Sequence, residues 1–156
     1  MWVSPAACQD MIDRIAQVDF SEVVRLLTEI PGGFRYPILQ VRDALCLYKR
    51  LLTVNGLHWG CRAVPSPSID VIWHAHLQLT EKYDADCQHM FGAFLHHDPL
   101  FGTRDQPDRE KYARAKEWTK AAMLHYFGLS GEDYTARLLF TPVDAMTALS
   151  RGRANA

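Results

Sequence analysis

The sequence predicts an all-α fold, a single-domain antiparallel bundle of four to six helices. Three observations carry this. Apolar residues recur every three or four positions with no sustained alternation of the kind a half-buried strand shows. Strong breakers divide the chain into helix-length pieces: Pro31-Gly32-Gly33, Asn55-Gly56, the Val64–Ser68 run VPSPS, the His96–Gly102 run HHDPLFG, the Asp105–Asp108 run DQPD and the Gly128–Asp133 run GLSGED. The connections between those pieces are short, and short connections make successive helices antiparallel neighbours.

Taken in order, Phe20, Val23, Val24 and Leu27 form one amphipathic stripe, introduced by Ser21 and Glu22. Ile38, Val41, Leu45, Tyr48 and Leu52 form a second, running from just after Pro37 to Asn55-Gly56. The third predicted helix begins near Ser68 and ends at about Gly92. Ile69, Ile72, Trp73, His76, Leu79, Thr80, Tyr83, Cys87, Met90 and Phe91 follow its period on one face. The fourth opens at PDREKY, with Asp108 as its N-cap, and stops at Gly128; a shorter helix covers GEDYTARLLF. The domain is expected to span 1–150, with 151–156 a flexible tail. The bundle topology groups His58 and Cys61 with Asp70, His74, His76 and His125 at one pole.

A chain of 156 residues suits a single core that needs no disulfide or metal to fold. With 48% apolar and 22% charged residues and a net charge of -1, it has no electrostatic bias toward nucleic acid or anionic membranes. No stretch approaches a membrane span and the N-terminal residues do not read as a leader, so the expected location is the cytoplasm. Cys8, Cys46, Cys61 and Cys87 are widely spaced without a C-x-x-C pair and read as free, buried thiols.

The chemistry concentrates in Ile69–His76, IDVIWHAH. Residues two apart on a helix point about 200° from each other, so His74 and His76 do not chelate one ion from a regular helix. His76 falls in the apolar stripe, and His74 lies beside Asp70 at the i, i+4 spacing. Three arrangements follow. His76 is a reactive imidazole completed from another helix or loop, or the helix is distorted at Trp73–His76 so that both imidazoles meet, or packing alone explains both. Tyr83 lies about 10 Å along the helix from His76, and Cys87 about 16 Å, too far for the same ion. His96-His97-Asp98-Pro99 is a second candidate, in a turn that Pro99 imposes. No P-loop, G-x-S-x-G, dinucleotide fingerprint, H-E-x-x-H or EF-hand loop is present.

Asp70, Trp73, His74, His76, Tyr83, Asp86, Cys87, Gly92, His96 or His97, and Pro99 together resemble the glycine-rich domain-containing protein-like family, through a D-x-x-W-H-x-H segment followed by Tyr, Asp-Cys, Gly and a His-x-Pro type turn. A weaker echo is Thr119 with Tyr126, Phe127 and Gly128. The match covers mainly 65–128 and lacks the glycine-rich tract of longer members. It implies no settled reaction, but it favours a working site over core packing.

The functional expectation is a small helical enzyme acting on a small metabolite, with His76, Asp70, Tyr83 and Cys87 as catalytic candidates. His74, His76 and His97 are the candidate ligands for a transition metal, Zn, Fe or Cu. The expected partner is a small molecule, with an oligomer left open. The competing expectation is a non-catalytic ligand- or protein-binding module whose histidines support the core.

Overall fold

The computed structural model describes residues 1–29 and 35–139, and these are all-helical. Seven helices follow in order: α1 (Pro5–Ala16), α2 (Ser21–Thr28), α3 (Ile38–Leu57), α4 (Pro67–Gln78), α5 (Thr80–Phe91), α6 (Gln106–Phe127) and α7 (Gly131–Thr135). The breaker at 31–33, Phe140 and the tail at 151–156 lie outside the described residues; the last predicted helix is shorter than expected, because Ala136 leaves the helical region at φ -55° and ψ 135° and 136–139 are not helical.

Two features raise the count above four to six. The first is α1, which the sequence reading leaves without an element. Ser4 is extended and its side chain accepts from the Ala7 N–H, Pro5 occupies the first turn, and Cys8, Met11 and Ile15 form a buried stripe. The second is a break at Leu79, whose backbone leaves the helical region at φ -84° and ψ 65°. The single helix expected over 68–92 is therefore two, α4 and α5. Their hinge follows His76 directly, with the Leu79 N–H bonded to the His76 carbonyl at 3.1 Å.

The centre of the packing is α3, which lies against α1, α2, α4 and α6. Its Val41, Ala44, Tyr48, Leu51, Leu52 and Val54 are fully buried, whereas Ile38, expected on the stripe, is exposed. The helix passes through Asn55-Gly56 instead of stopping there. Buried Asn55 donates to the Leu51 carbonyl, and its side-chain oxygen accepts the Ala63 N–H at 3.3 Å, so it serves the helix and the following loop together. The α6 cap is Asp105 and not Asp108: Asp105 accepts the Asp108 N–H at 2.8 Å. Asp108 instead accepts from the Gly102 and Arg104 N–H groups, closing the loop ahead of the helix. Both α5 and α6 end on left-handed glycines, Gly92 and Gly128.

All four cysteines are free, but only Cys8 and Cys87 are buried; Cys46 and Cys61 are exposed, contrary to the expectation of four buried thiols. Among the described residues, no helix is long and apolar enough to cross a membrane.

Candidate metal centre

The IDVIWHAH run forms the body of α4, and the helix stays regular from Trp73 to His76. Its two imidazoles accordingly point to different places. His76 faces inward and is fully buried. Its ring touches those of Phe20, Tyr48 and Tyr83, with centroids 5.4, 5.9 and 4.8 Å away. The Tyr48 hydroxyl donates to Nδ1 at 3.0 Å, and Nε2–H donates to Asp86 Oδ2 at 2.8 Å. Lys82 Nζ lies 2.9 Å from the same carboxylate oxygen. Both ring nitrogens are therefore occupied by hydrogen bonds. Burial holds the His76 pKa below that of a free imidazole despite the neighbouring carboxylate, which keeps the ring neutral and matches this donor–acceptor pattern.

The Leu79 break makes that network. On a continuous helix, His76 and Asp86 would stand about 15 Å apart along the axis; the turn folds α5 back so that they meet. Tyr83 also moves. Its hydroxyl accepts from Trp73 Nε1 at 3.0 Å and donates to the Leu95 carbonyl. Burial raises its pKa far above the usual phenol range. Cys87, one turn further, is fully buried, and burial pushes its thiol up as well. Neither residue opens onto solvent in this arrangement.

His74 faces outward. On α4 its Nε2 lies 3.4 Å from Asp70 Oδ2, the i, i+4 relation expected from spacing. The loop after α5 brings a third group: His97 Nε2 is 2.9 Å from His74 Nε2 and 3.2 Å from Asp70 Oδ1. The loop is held from both sides. Trp73, Tyr83 and the Leu95 carbonyl form a hydrogen-bonded chain just before His97, and the His97 ring packs on Trp73 with centroids 4.4 Å apart. Immediately after it, Asp98 accepts two bonds from Arg104, at 2.8 and 3.0 Å. The resulting cluster of Asp70, His74 and His97 lies on the wall of a cleft of about 960 Å³.

The donor set fits a metal ion. Ligands about 2.1 Å from a common centre stand about 3.0 Å apart in octahedral and about 3.4 Å apart in tetrahedral geometry. The two imidazole nitrogens stand 2.9 Å apart, and each approaches a different oxygen of the Asp70 carboxylate, His74 at 3.4 Å and His97 at 3.2 Å; taking one atom from each residue, all three lie within 4.8 Å of one another. Without an ion, a single N–H···N hydrogen bond spans the two imidazoles at 2.9 Å, with Asp70 3.4 Å from His74 and 3.2 Å from His97. Two imidazoles and a carboxylate on one face, open toward a cleft, suit Zn or Fe(II).

The structure thus brings together Asp70, His74 and His97 and separates them from His76, Tyr83 and Cys87. The expected common pole is also divided. His125 stacks on Trp2 with centroids 4.7 Å apart, and His58 Nε2 meets the Tyr126 hydroxyl at 2.7 Å, in an aromatic group of their own. His96 is exposed along the cleft beside Phe94. The sequence reading assigned no site role to Tyr48 or Asp86, the two partners of His76. Their positions depend on α3 packing and on the Leu79 turn, for which a polar Thr80 inside an apolar stripe was the sole sequence signal.

Among known families, the description UCP032817-like matches residues 35–125, more than half of the 156-residue chain. The chain belongs to the UCP032817-like family. This corrects the resemblance to the glycine-rich domain-containing protein-like family, for which the D-x-x-W-H-x-H run is no signature here. The UCP032817-like match runs from the approach to α3 almost to the end of α6 and includes Asp70, His74, His76, Tyr83, Cys87 and His97. Neither the curated proteins nor the solved structures give a match to the chain.

Proposed function

We propose that this UCP032817-like protein is a small metal-dependent enzyme of the cytoplasm that acts on a small metabolite in the cleft beside α4. The observation that carries the reading is the convergence of His74 Nε2, His97 Nε2 and an Asp70 carboxylate oxygen within 4.8 Å of one another, the two imidazoles 2.9 Å apart, on the wall of a roughly 960 Å³ cleft. That volume lies at the upper end of the range of small-molecule sites. Asp70, His74 and His97 would hold the ion, which when bound supplies a Lewis acid with positions open to the cleft. His96, exposed on the same wall, is placed to exchange a proton with a bound molecule. Trp73 and Tyr83 act as positioning residues that fix the loop bearing His97. The exposed free thiols Cys46 and Cys61 support a reducing compartment.

His76 is assigned a structural role in this reading, since each of its nitrogens already has a partner and it is sealed from the cleft. This reading takes the non-catalytic view of the histidines for His76 alone and proposes a metal-binding role for His74 and His97. Metal analysis of untagged protein tests the proposal. About one equivalent of Zn or Fe per chain is expected in the wild type, with loss in His74→Ala and His97→Ala and retention in a folded His76 variant. Retention of metal by His74→Ala and His97→Ala together would sink it.

A further inference from the structure

The N-terminus of α4 opens on the same cleft, one turn before Asp70. Its cap residue is Ser66, extended at φ -72° and ψ 163°, yet the side chain makes no capping bond. A serine at this position ordinarily accepts a backbone N–H from the first turn. Ser66 is only 3% exposed, and its Oγ is the one buried side-chain polar atom without a hydrogen-bond partner among the described residues. A buried hydroxyl left unpaired is unfavourable, and a guest or an ordered water seated against it would supply the missing partner. Ser66 lines the cleft, and the positive end of the α4 dipole lies with it.

The charges around the cleft agree. Its carboxylates among the described residues are Asp70 and Asp98. Asp70 belongs to the metal cluster, and Asp98 is gripped by Arg104 and lies 3.6 Å from Arg62. Lys116 of α6 lines the cleft and forms no ion pair with any described residue. The loop leading to Ser66 is tied to that part of α6: the Val64 N–H donates to Thr119 Oγ1 at 2.9 Å, about one turn beyond Lys116, and the Tyr134 hydroxyl donates to the Val64 carbonyl. An uncompensated ammonium, a helix N-terminus and an unpaired hydroxyl all favour the same kind of guest.

We propose that Ser66 Oγ, the α4 N-terminus and Lys116 form an oxyanion subsite, so that the molecule processed at the Asp70–His74–His97 centre is a small organic acid or phosphate ester. The orientation of the substrate rests on the metal reading; the subsite itself does not. Ser66 precedes Asp70 by four residues, about 6 Å along the helix axis. This sets the approximate separation between the substrate's anionic group and the group presented to the metal.

Titration of inorganic phosphate and of acetate into chelator-treated full-length protein tests this, followed calorimetrically for the wild type, Lys116→Gln, Ser66→Ala and His97→Ala. Saturable 1:1 binding of at least one anion is expected, the tighter of the two identifying the substrate class. Lys116→Gln should weaken it at least tenfold and Ser66→Ala several-fold, while His97→Ala leaves it within twofold. Because Ser66→Ala removes an unpaired hydroxyl, its melting temperature should equal or exceed that of the wild type. Absence of saturable binding of either anion, an unchanged affinity in Lys116→Gln, or a lowered melting temperature in Ser66→Ala overturns the subsite. Intact anion binding in a protein that takes up no metal overturns the metal reading alone.

Discussion

Replacing His76 by alanine separates the structural histidine from the proposed ligands, and its effect can be worked from the contacts. The substitution empties a fully buried position bordered by the rings of Phe20, Tyr48 and Tyr83. A large-to-small change in such a core destabilises by about 2–5 kcal/mol. The buried Tyr48 hydroxyl loses its partner Nδ1, and an unpaired buried hydroxyl costs about 1–3 kcal/mol. Asp86 adds little, since Lys82 remains 2.9 Å away and the carboxylate is partly exposed. These overlapping effects give a net loss of about 4 kcal/mol, equivalent to a drop of about 8–16 °C in Tm for a domain of this size. Urea and thermal unfolding measure the loss, with metal content determined on the folded fraction. His74→Ala, on the half-exposed face of α4, should change the stability of the metal-free protein by about 0.5 kcal/mol or less while abolishing metal binding. A His76→Ala protein as stable as the wild type, or one that folds normally and loses its metal, would refute this division of labour.

Further outcomes follow from the same contacts. Burial lowers the His76 pKa in the folded protein, so at low pH the unfolded chain takes up a proton that the folded one excludes. The associated stability is present above about pH 6.5, the value for a free imidazole. It falls as pH drops from there toward the folded pKa. Unfolding free energy measured between pH 8 and 5 should therefore decline on acidification, and His76→Gln should reduce that slope, with His58, also lowered by burial, contributing the remainder. Tyr83→Phe removes the link between Trp73 and the Leu95 carbonyl; a loss of about 1–2 kcal/mol in stability and a metal affinity weaker by about 10–100-fold are expected in denaturation and competitive chelator titrations. Gly102 has φ +88°, and a Cβ there would stand 2.6 Å from the Tyr112 ring. Gly102→Ala should destabilise by about 1–3 kcal/mol, read by urea unfolding, because the strained backbone and the clash act together.

The all-α class was legible because helical spacing and breakers are local signals. The buried stripes of α3 and of α4 follow their sequence period from Val41 to Leu52 and from Ile69 to His76. The Asp70–His74 pair was legible for the same reason, since i, i+4 neighbours need only one helix to meet. His97 is a candidate ligand from the sequence, but its partners cannot be read from spacing: Asp70 lies 27 residues earlier, and the meeting depends on Tyr83 and Asp98 fixing the loop from both sides. The role of His76 was hidden by the Leu79 break. A straight helix keeps Asp86 two to three turns from the imidazole, whereas the observed turn makes it a hydrogen-bond partner of the buried ring. The opening helix carried a readable signal, Ser4 followed by Pro5 and the Cys8, Met11, Ile15 spacing, which the longer central stripes overshadowed.

The central claim is that one metal ion sits among Asp70, His74 and His97. Anomalous diffraction from crystals of untagged protein, recorded at the absorption edges of Zn and Fe, tests it most directly. The account expects a single strong peak about 2.0–2.2 Å from His74 Nε2, His97 Nε2 and an Asp70 carboxylate oxygen. A full-occupancy peak elsewhere, or none there after soaking with either metal, would contradict it.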